Sequence, residues 1–143
     1  MDKDVLVSIS GLQFEMDQEE TMEVISPGEY YFKNGKHYVF FEEMTELDEY
    51  NRGLSKNRLK IGSGQIELQK KGYSNTTLLF EKDKKNMTYY RTPYGELLVG
   101  IHTTDIKVEE HEEELLVTIA YSLDLNYEHV SNCTIIIKIV NRK

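Results

Sequence analysis

Apolar and polar residues alternate with a period of two along most of this chain. Val5, Val7 and Ile9 alternate with Leu6, Ser8 and Ser10, and after Gly11 the apolar set shifts to Leu12, Phe14 and Met16. A glycine at a parity shift predicts a bend in a strand. A second strand is expected over 21–26, with a turn or kink at Pro27-Gly28. The strongest local signal is EYYFKNGKHYVFF, residues 29–41. Asn34-Gly35 between two apolar runs predicts a two-residue type I′ hairpin, since both turn positions need positive φ. The register follows: Lys33 faces Lys36, Phe32 faces His37, Tyr31 faces Tyr38 and Tyr30 faces Val39. One face then carries Tyr30, Phe32, His37, Val39, Phe41 and Glu43. It is the more apolar face and is placed inward.

Residues 42–52 are acidic and lack alternation, so a loop or a helical turn is expected there. Leu59 and Ile61 match Ile66 and Leu68 across Gly62-Ser63-Gly64, and Lys70 continues the inward parity toward Gly72. Leu78 and Phe80 mark a further strand, and 81–86 reads as a charged turn. A short strand from Asn86 through Tyr89, Tyr90 and Arg91 leads to Thr92-Pro93-Tyr94-Gly95, which has turn chemistry. Leu97, Val99, Ile101 and Thr103 then share a face, but Ile106 and Val108 fall on the opposite parity. The flip near Thr104-Asp105 predicts a bulge, the device that curls a sheet toward closure. The acidic run 109–114 reads as a solvated turn. Leu115 to Leu125 keeps one parity throughout, 126–129 is a turn, and Cys133, Ile135, Ile137 and Ile139 point inward in the last strand.

The pattern yields nine or ten consecutive strands without a convincing amphipathic helix. Hairpins without crossover helices make an antiparallel meander, and a meander this long removes its edges by closing. The expected fold is all-β: one up-and-down barrel over residues 1–143, with room for a side-chain core or one small ligand.

Composition changes this picture little. The chain has 143 residues and is 39% hydrophobic, enough for one core. Its formal charge of −8 argues against nonspecific nucleic-acid binding and against anionic membranes. Cys133 is the only cysteine, which precludes an internal disulfide, and no signal peptide or apolar helical span is visible, so a cytoplasmic location is expected. Asn75-Thr76-Thr77, Asn86-Met87-Thr88 and Asn132-Cys133-Thr134 match the glycosylation sequon by chance on that reading.

The motifs of several chemistries are missing. His37, His102, His111 and His129 are dispersed without metal-ligand spacing. Gly62-Ser63-Gly64 is not followed by the helix and Lys-Ser/Thr of a phosphate loop. No Gly-x-Ser-x-Gly is present, and inward parity makes Cys133 an inert core thiol. No cofactor is implied, and nothing assembles a nucleophile with a base.

The order Gly28-x-Tyr30-Tyr31, Lys33-Asn34-Gly35, Phe41-x-Glu43, Lys70-x-Gly72, Phe80, Tyr90-x-x-Pro93-x-Gly95 and Thr103 resembles the YwiB-like family. That resemblance spans nearly the whole chain through short motifs. It implies a small bacterial protein of unknown function with a calycin-like (lipocalin-like) β-barrel. It brings no activity, cofactor or catalytic residue. Phe41 stands where the family usually has Tyr, and Lys70 where it favours Arg, so a bidentate carboxylate contact is not carried over to Lys70.

Two readings of function stand. In the first, the barrel binds a small, partly apolar ligand in its interior. Glu43, Lys70 and Arg91 anchor polar groups, and Tyr90 and Tyr121 contact the apolar body. In the second, the interior is filled with side chains, Glu43 and Lys70 form a closing ion pair, and an acidic surface at 42–48 or 109–114 meets a protein partner. The oligomeric state is not legible.

Overall fold

The computed structural model describes residues 2–11, 23–46, 52–72, 75–92 and 95–142. Ten strands run in chain order: β1 (Asp4–Ser10), β2 (Glu23–Lys33), β3 (Lys36–Glu46), β4 (Arg52–Gly62), β5 (Gln65–Gly72), β6 (Thr76–Glu81), β7 (Lys84–Thr92), β8 (Gly95–Glu110), β9 (Glu114–Leu125) and β10 (Glu128–Asn141). They form a single antiparallel sheet ordered β6-β5-β4-β3-β2-β1-β10-β9-β8-β7. The two ends of that order, β6 and β7, come side by side, so the sheet curls into a nearly closed barrel. No helix among the described residues is long and apolar enough to cross a membrane.

The hairpin signals are realised. Asn34 and Gly35 have φ of 53° and 76°, and Lys33, Phe32, Tyr31 and Tyr30 face Lys36, His37, Tyr38 and Val39. The parity flip in β8 is a bulge: Thr103 pairs Tyr121, Asp105 pairs Ala120, and Thr104 is the extra residue. β9 alternates buried and half-buried positions along its whole length.

Several expectations need correction. Residues 42–46 are not a loop, because β3 continues to Glu46 and pairs with β4 down to Arg52. An opposite charge suits that acidic stretch to a ladder, since Glu42 stands across from Lys56. Pro27-Gly28 does not end the second strand. β2 pairs with β1 up to Glu29 and with β3 from Gly28 onward, so it changes partner there. Gly28 is required at this corner, because a Cβ would sit 2.9 Å from the Phe40 carbonyl oxygen and 3.1 Å from Val7 Cγ2. Phe32 shares the inward parity yet is exposed, because it lies at the barrel rim with its ring edge against His37. Cys133 packs against the core but is only half-buried, beyond the register shift between His129 and Ser131. The charged turns are shorter than expected: β7 already begins at Lys84, and only His111–Glu113 separate β8 from β9. The bend past Gly11, the start of the second strand and the Pro93-Tyr94 turn lie outside the described residues.

The middle of the barrel is filled. Val5, Leu59, Ile66, Val117 and Ile119 are 0% exposed, which leaves no water-sized space beside them. Phe80 and Tyr121 meet edge to face at 5.4 Å.

The seam between β6 and β7 has a specific cause. Leu78 and Phe80 place the even-numbered residues of β6 inside. Pairing of Asn86 with Ile101 and Thr88 with Val99 places the even-numbered residues of β7 inside too. The two-residue turn at Lys82-Asp83 would set Phe80 opposite Lys85 and Leu79 opposite Asn86, an inside position against an outside one at every rung. A ladder would require one strand to turn over, so none forms. Side chains bridge the gap instead. Thr76 Oγ1 donates to the Tyr89 carbonyl at 2.9 Å, and Asn86 Nδ2 donates to the Leu79 carbonyl at 3.2 Å.

Candidate functional site

Below the packed middle, the inward positions of β3–β6 turn polar. Phe41 pairs Asn57, Asn57 pairs Lys70 and Lys70 pairs Thr76, forming one row across four strands. The next row is Glu43, Ser55 and Gly72. Strand parity aims all of these side chains into the end of the barrel. Lys70 Nζ donates to Glu43 Oε1 at 3.2 Å, and both side chains are largely buried. Ser55 Oγ donates to Asn57 Oδ1 at 2.8 Å. Asn57 is 3% exposed, and its Nδ2 has no hydrogen-bond partner among the described residues. Turning the amide over would leave the oxygen in the same position, so either orientation leaves one end unsatisfied.

Two grooves border this polar row. Where β2 leaves β3, a groove of about 670 Å³ opens between Pro27, Phe40, Phe41 and Leu54, with Asn57 in its wall. Charged Glu42, Lys56 and Arg142 also line it. On the other side, along the seam, a groove of about 510 Å³ is lined by Lys70, Thr76, Thr88 and Tyr89 among others. These volumes match the usual range for ligand clefts.

Of the five sequence-selected residues, Glu43 and Lys70 lie together. Tyr90 and Arg91 pair Leu97 and Glu96 in β7, and their side chains are outside the described set. Tyr121 belongs to another layer, because its ring meets Phe80, which pairs Ile66 rather than Lys70. Asn57 and Ser55 carry no sequence signal of their own, because they fall next to the acidic stretch that lacks alternation. The inward parity that starts at Leu59 and Ile61 leads directly to them.

The opposite end of the barrel carries a second polar cluster. His37 Nδ1 and the Tyr30 hydroxyl are 2.6 Å apart, and His37 Nε2 lies 2.6 Å from Glu110 Oε1. The contacts are satisfied when Tyr30 donates to Nδ1 and the imidazole carries its proton on Nε2 toward the carboxylate. Parity alone places His37 inward, whereas its partner is 73 residues away and is visible only as one glutamate in a charge run.

Neither cluster is built for nucleophilic catalysis. The Ser55 hydroxyl faces an amide oxygen, which takes no proton at neutral pH. Burial, and secondarily the negative charge of Glu110, raise the Tyr30 phenol above its usual value of 10.0, so it stays neutral. The folded state thus holds the phenolic proton more tightly than the unfolded chain. The resulting stability is fully present below about pH 10 and is lost as pH rises further. Urea midpoints from pH 8 to 11 are expected to fall less steeply for Tyr30→Phe than for the parent chain. Parallel slopes would refute that assignment.

Among the described residues, no group of three or more His, Cys, Asp or Glu side chains is placed to hold a metal ion. A family model described as a domain of unknown function (DUF1934) matches residues 7–137. The chain is also similar to the crystal structure of ywiB protein from Bacillus subtilis, with a TM-score of 0.79 and 20% identity over 99% of this chain and 93% of that one. At that identity the likeness concerns the fold alone. No curated protein matches the chain.

Proposed function

The chain belongs to the family described as a domain of unknown function (DUF1934), and we propose that it is a non-catalytic module binding a small, partly apolar ligand at the polar end of its barrel. The observation that carries this reading is the buried Asn57 amide with one end unsatisfied, in the wall of an open groove. An unpaired buried polar group costs about 1–3 kcal/mol, and a ligand acceptor would recover it once the amide, now shielded from the groove, turns toward it. Lys70 and Glu43 supply a donor and an acceptor nearby, and Phe40, Phe41 and Leu54 supply apolar contact. Tyr90 and Arg91, on the strand across the seam, remain proposed ligand contacts. A cytoplasmic setting agrees with the single cysteine.

Native and denatured masses of protein purified from a cell extract test this reading. A discrete mass lost on denaturation is expected, and it disappears in Lys70→Met. Asn57→Leu also removes it while changing stability by less than about 2 kcal/mol, because losing the unsatisfied amide offsets the Ser55 hydroxyl that loses its acceptor. A bare native mass would overturn the reading. The packed middle of the barrel favours a second reading, a protein-interaction module using its acidic surface. Charge reversal at Glu112 and Glu113 would then weaken capture of a partner.

A further inference from the structure

We propose that the outer face of β2–β4 is a binding surface for single-stranded nucleic acid. The net charge is −8, but that charge is unevenly distributed. Outward positions alternate with the inward ones, and on β3 they place Tyr38 and Phe40 in one column. Tyr31 pairs Tyr38, and its ring meets Phe40 edge-on at 5.9 Å. Three successive positions of the neighbouring column on β4, between Leu54 and Gly62, are cationic: Lys60 stands across from Tyr38, Arg58 across from Phe40, and Lys56 across from Glu42. Alternate residues of a strand lie about 6.8 Å apart, so the three cations form a regular row beside an aromatic one.

Exposure supports the same reading. Tyr31 and Phe40 are 40% and 43% exposed, although large aromatic side chains are normally drawn into the core. Cations already sit near the rings, with Lys60 Nζ 5.9 Å from the Tyr38 centroid and Lys3 Nζ 5.6 Å from that of Tyr31. Arg58 bonds Glu67 at 2.5 Å, which leaves Lys56 and Lys60 as the freer charges of the column. Rings that stack unpaired bases, beside cations that follow a phosphate backbone, make up the usual recognition of single strands. A duplex hides its base faces. An acidic peptide would use the cations but not the stacking surface.

Fluorescence anisotropy with labelled twelve-residue oligo-dT and oligo-U, on the intact chain, tests the proposal. Binding is expected at low salt. It should weaken with a log–log salt slope of about −1.4 as Lys56 and Lys60 each neutralise a phosphate. Phe40→Ala and Tyr31→Ala should each weaken binding by about 5-fold or more. Lys56→Glu with Lys60→Glu should weaken it and flatten the salt slope, and this pair serves if an aromatic variant fails to fold. Lys138→Glu, exposed on β10, should leave binding unchanged. Absence of binding at low salt, or equal loss in Lys138→Glu, would overturn the proposal. A polyglutamate peptide that competes equally would overturn it in favour of an acidic protein partner.

Discussion

Phe80→Ala is expected to cost about 3–5 kcal/mol of stability. The ring is 2% exposed, packs edge to face on Tyr121, and stands beside Ile66 across the ladder. Its removal deletes apolar contact and also leaves a cavity. The barrel wall cannot collapse into that cavity, because β5 holds β6 by backbone hydrogen bonds on one side. On the other side, side-chain bridges to β7 rather than a ladder hold it among the described residues. Local relief would therefore come from the seam, and the variant should exchange amide hydrogens of β6 and β7 faster than those of β9. Urea unfolding measures the stability change. A loss below about 1 kcal/mol would mean that the interior is looser than its burial indicates. A new apolar cavity would also take up benzene or xenon, which the parent chain should not do if its middle is filled.

Gly72→Ala is expected to cost about 2–4 kcal/mol, because strain and steric clash act together. Gly72 has φ of 139°, a conformation that side chains rarely adopt. A Cβ there would lie 2.2 Å from the Leu54 carbonyl oxygen and 3.1 Å from the Ser55 Cα. The obstruction is backbone, so it can be relieved only by parting the end of β5 from β4. That separation would carry Lys70, two residues earlier, away from Asn57 and Glu43. Ligand occupancy at the polar end should fall along with stability. Gly64→Ala is the control: it too has positive φ, but its Cβ would meet nothing within 4 Å. It should cost only about 1–2 kcal/mol. Equal losses in the two variants would show that conformation alone, and not the approach of β4, accounts for the cost at Gly72.

Gly72 also gives a physical meaning to Lys70-x-Gly72, one of the motifs on which the resemblance rests. The glycine lets β5 end hard against β4, and that contact holds the lysine two residues earlier in the row with Asn57. Glu43 and Lys70 were legible as a facing pair because each simply extends an inward parity. Asn57 was not singled out, because its importance lies in a missing partner, and no one-dimensional pattern records that. Glu110 stood in a run of glutamates with nothing to distinguish the one that meets His37.

The sequence by itself determined the strand count to within one, the Asn34-Gly35 hairpin with its register, the bulge at Thr104 and most inward faces. These features depend on local causes: a side-chain period of two, the φ demands of a two-residue turn, and a parity flip within one strand. Only the tertiary structure decided that residues 42–46 join a ladder, since their backbone partners lie on strand β4 and no local alternation marks them. It alone decided that β6 and β7 meet without pairing, because that follows from two parities set by other neighbours, β5 and β8. It also decided the distribution of charge. A net of −8 is a sum over the chain, whereas the cationic column at Lys56, Arg58 and Lys60 exists because alternate residues of one strand share a face and the register sets aromatic rings beside two of them.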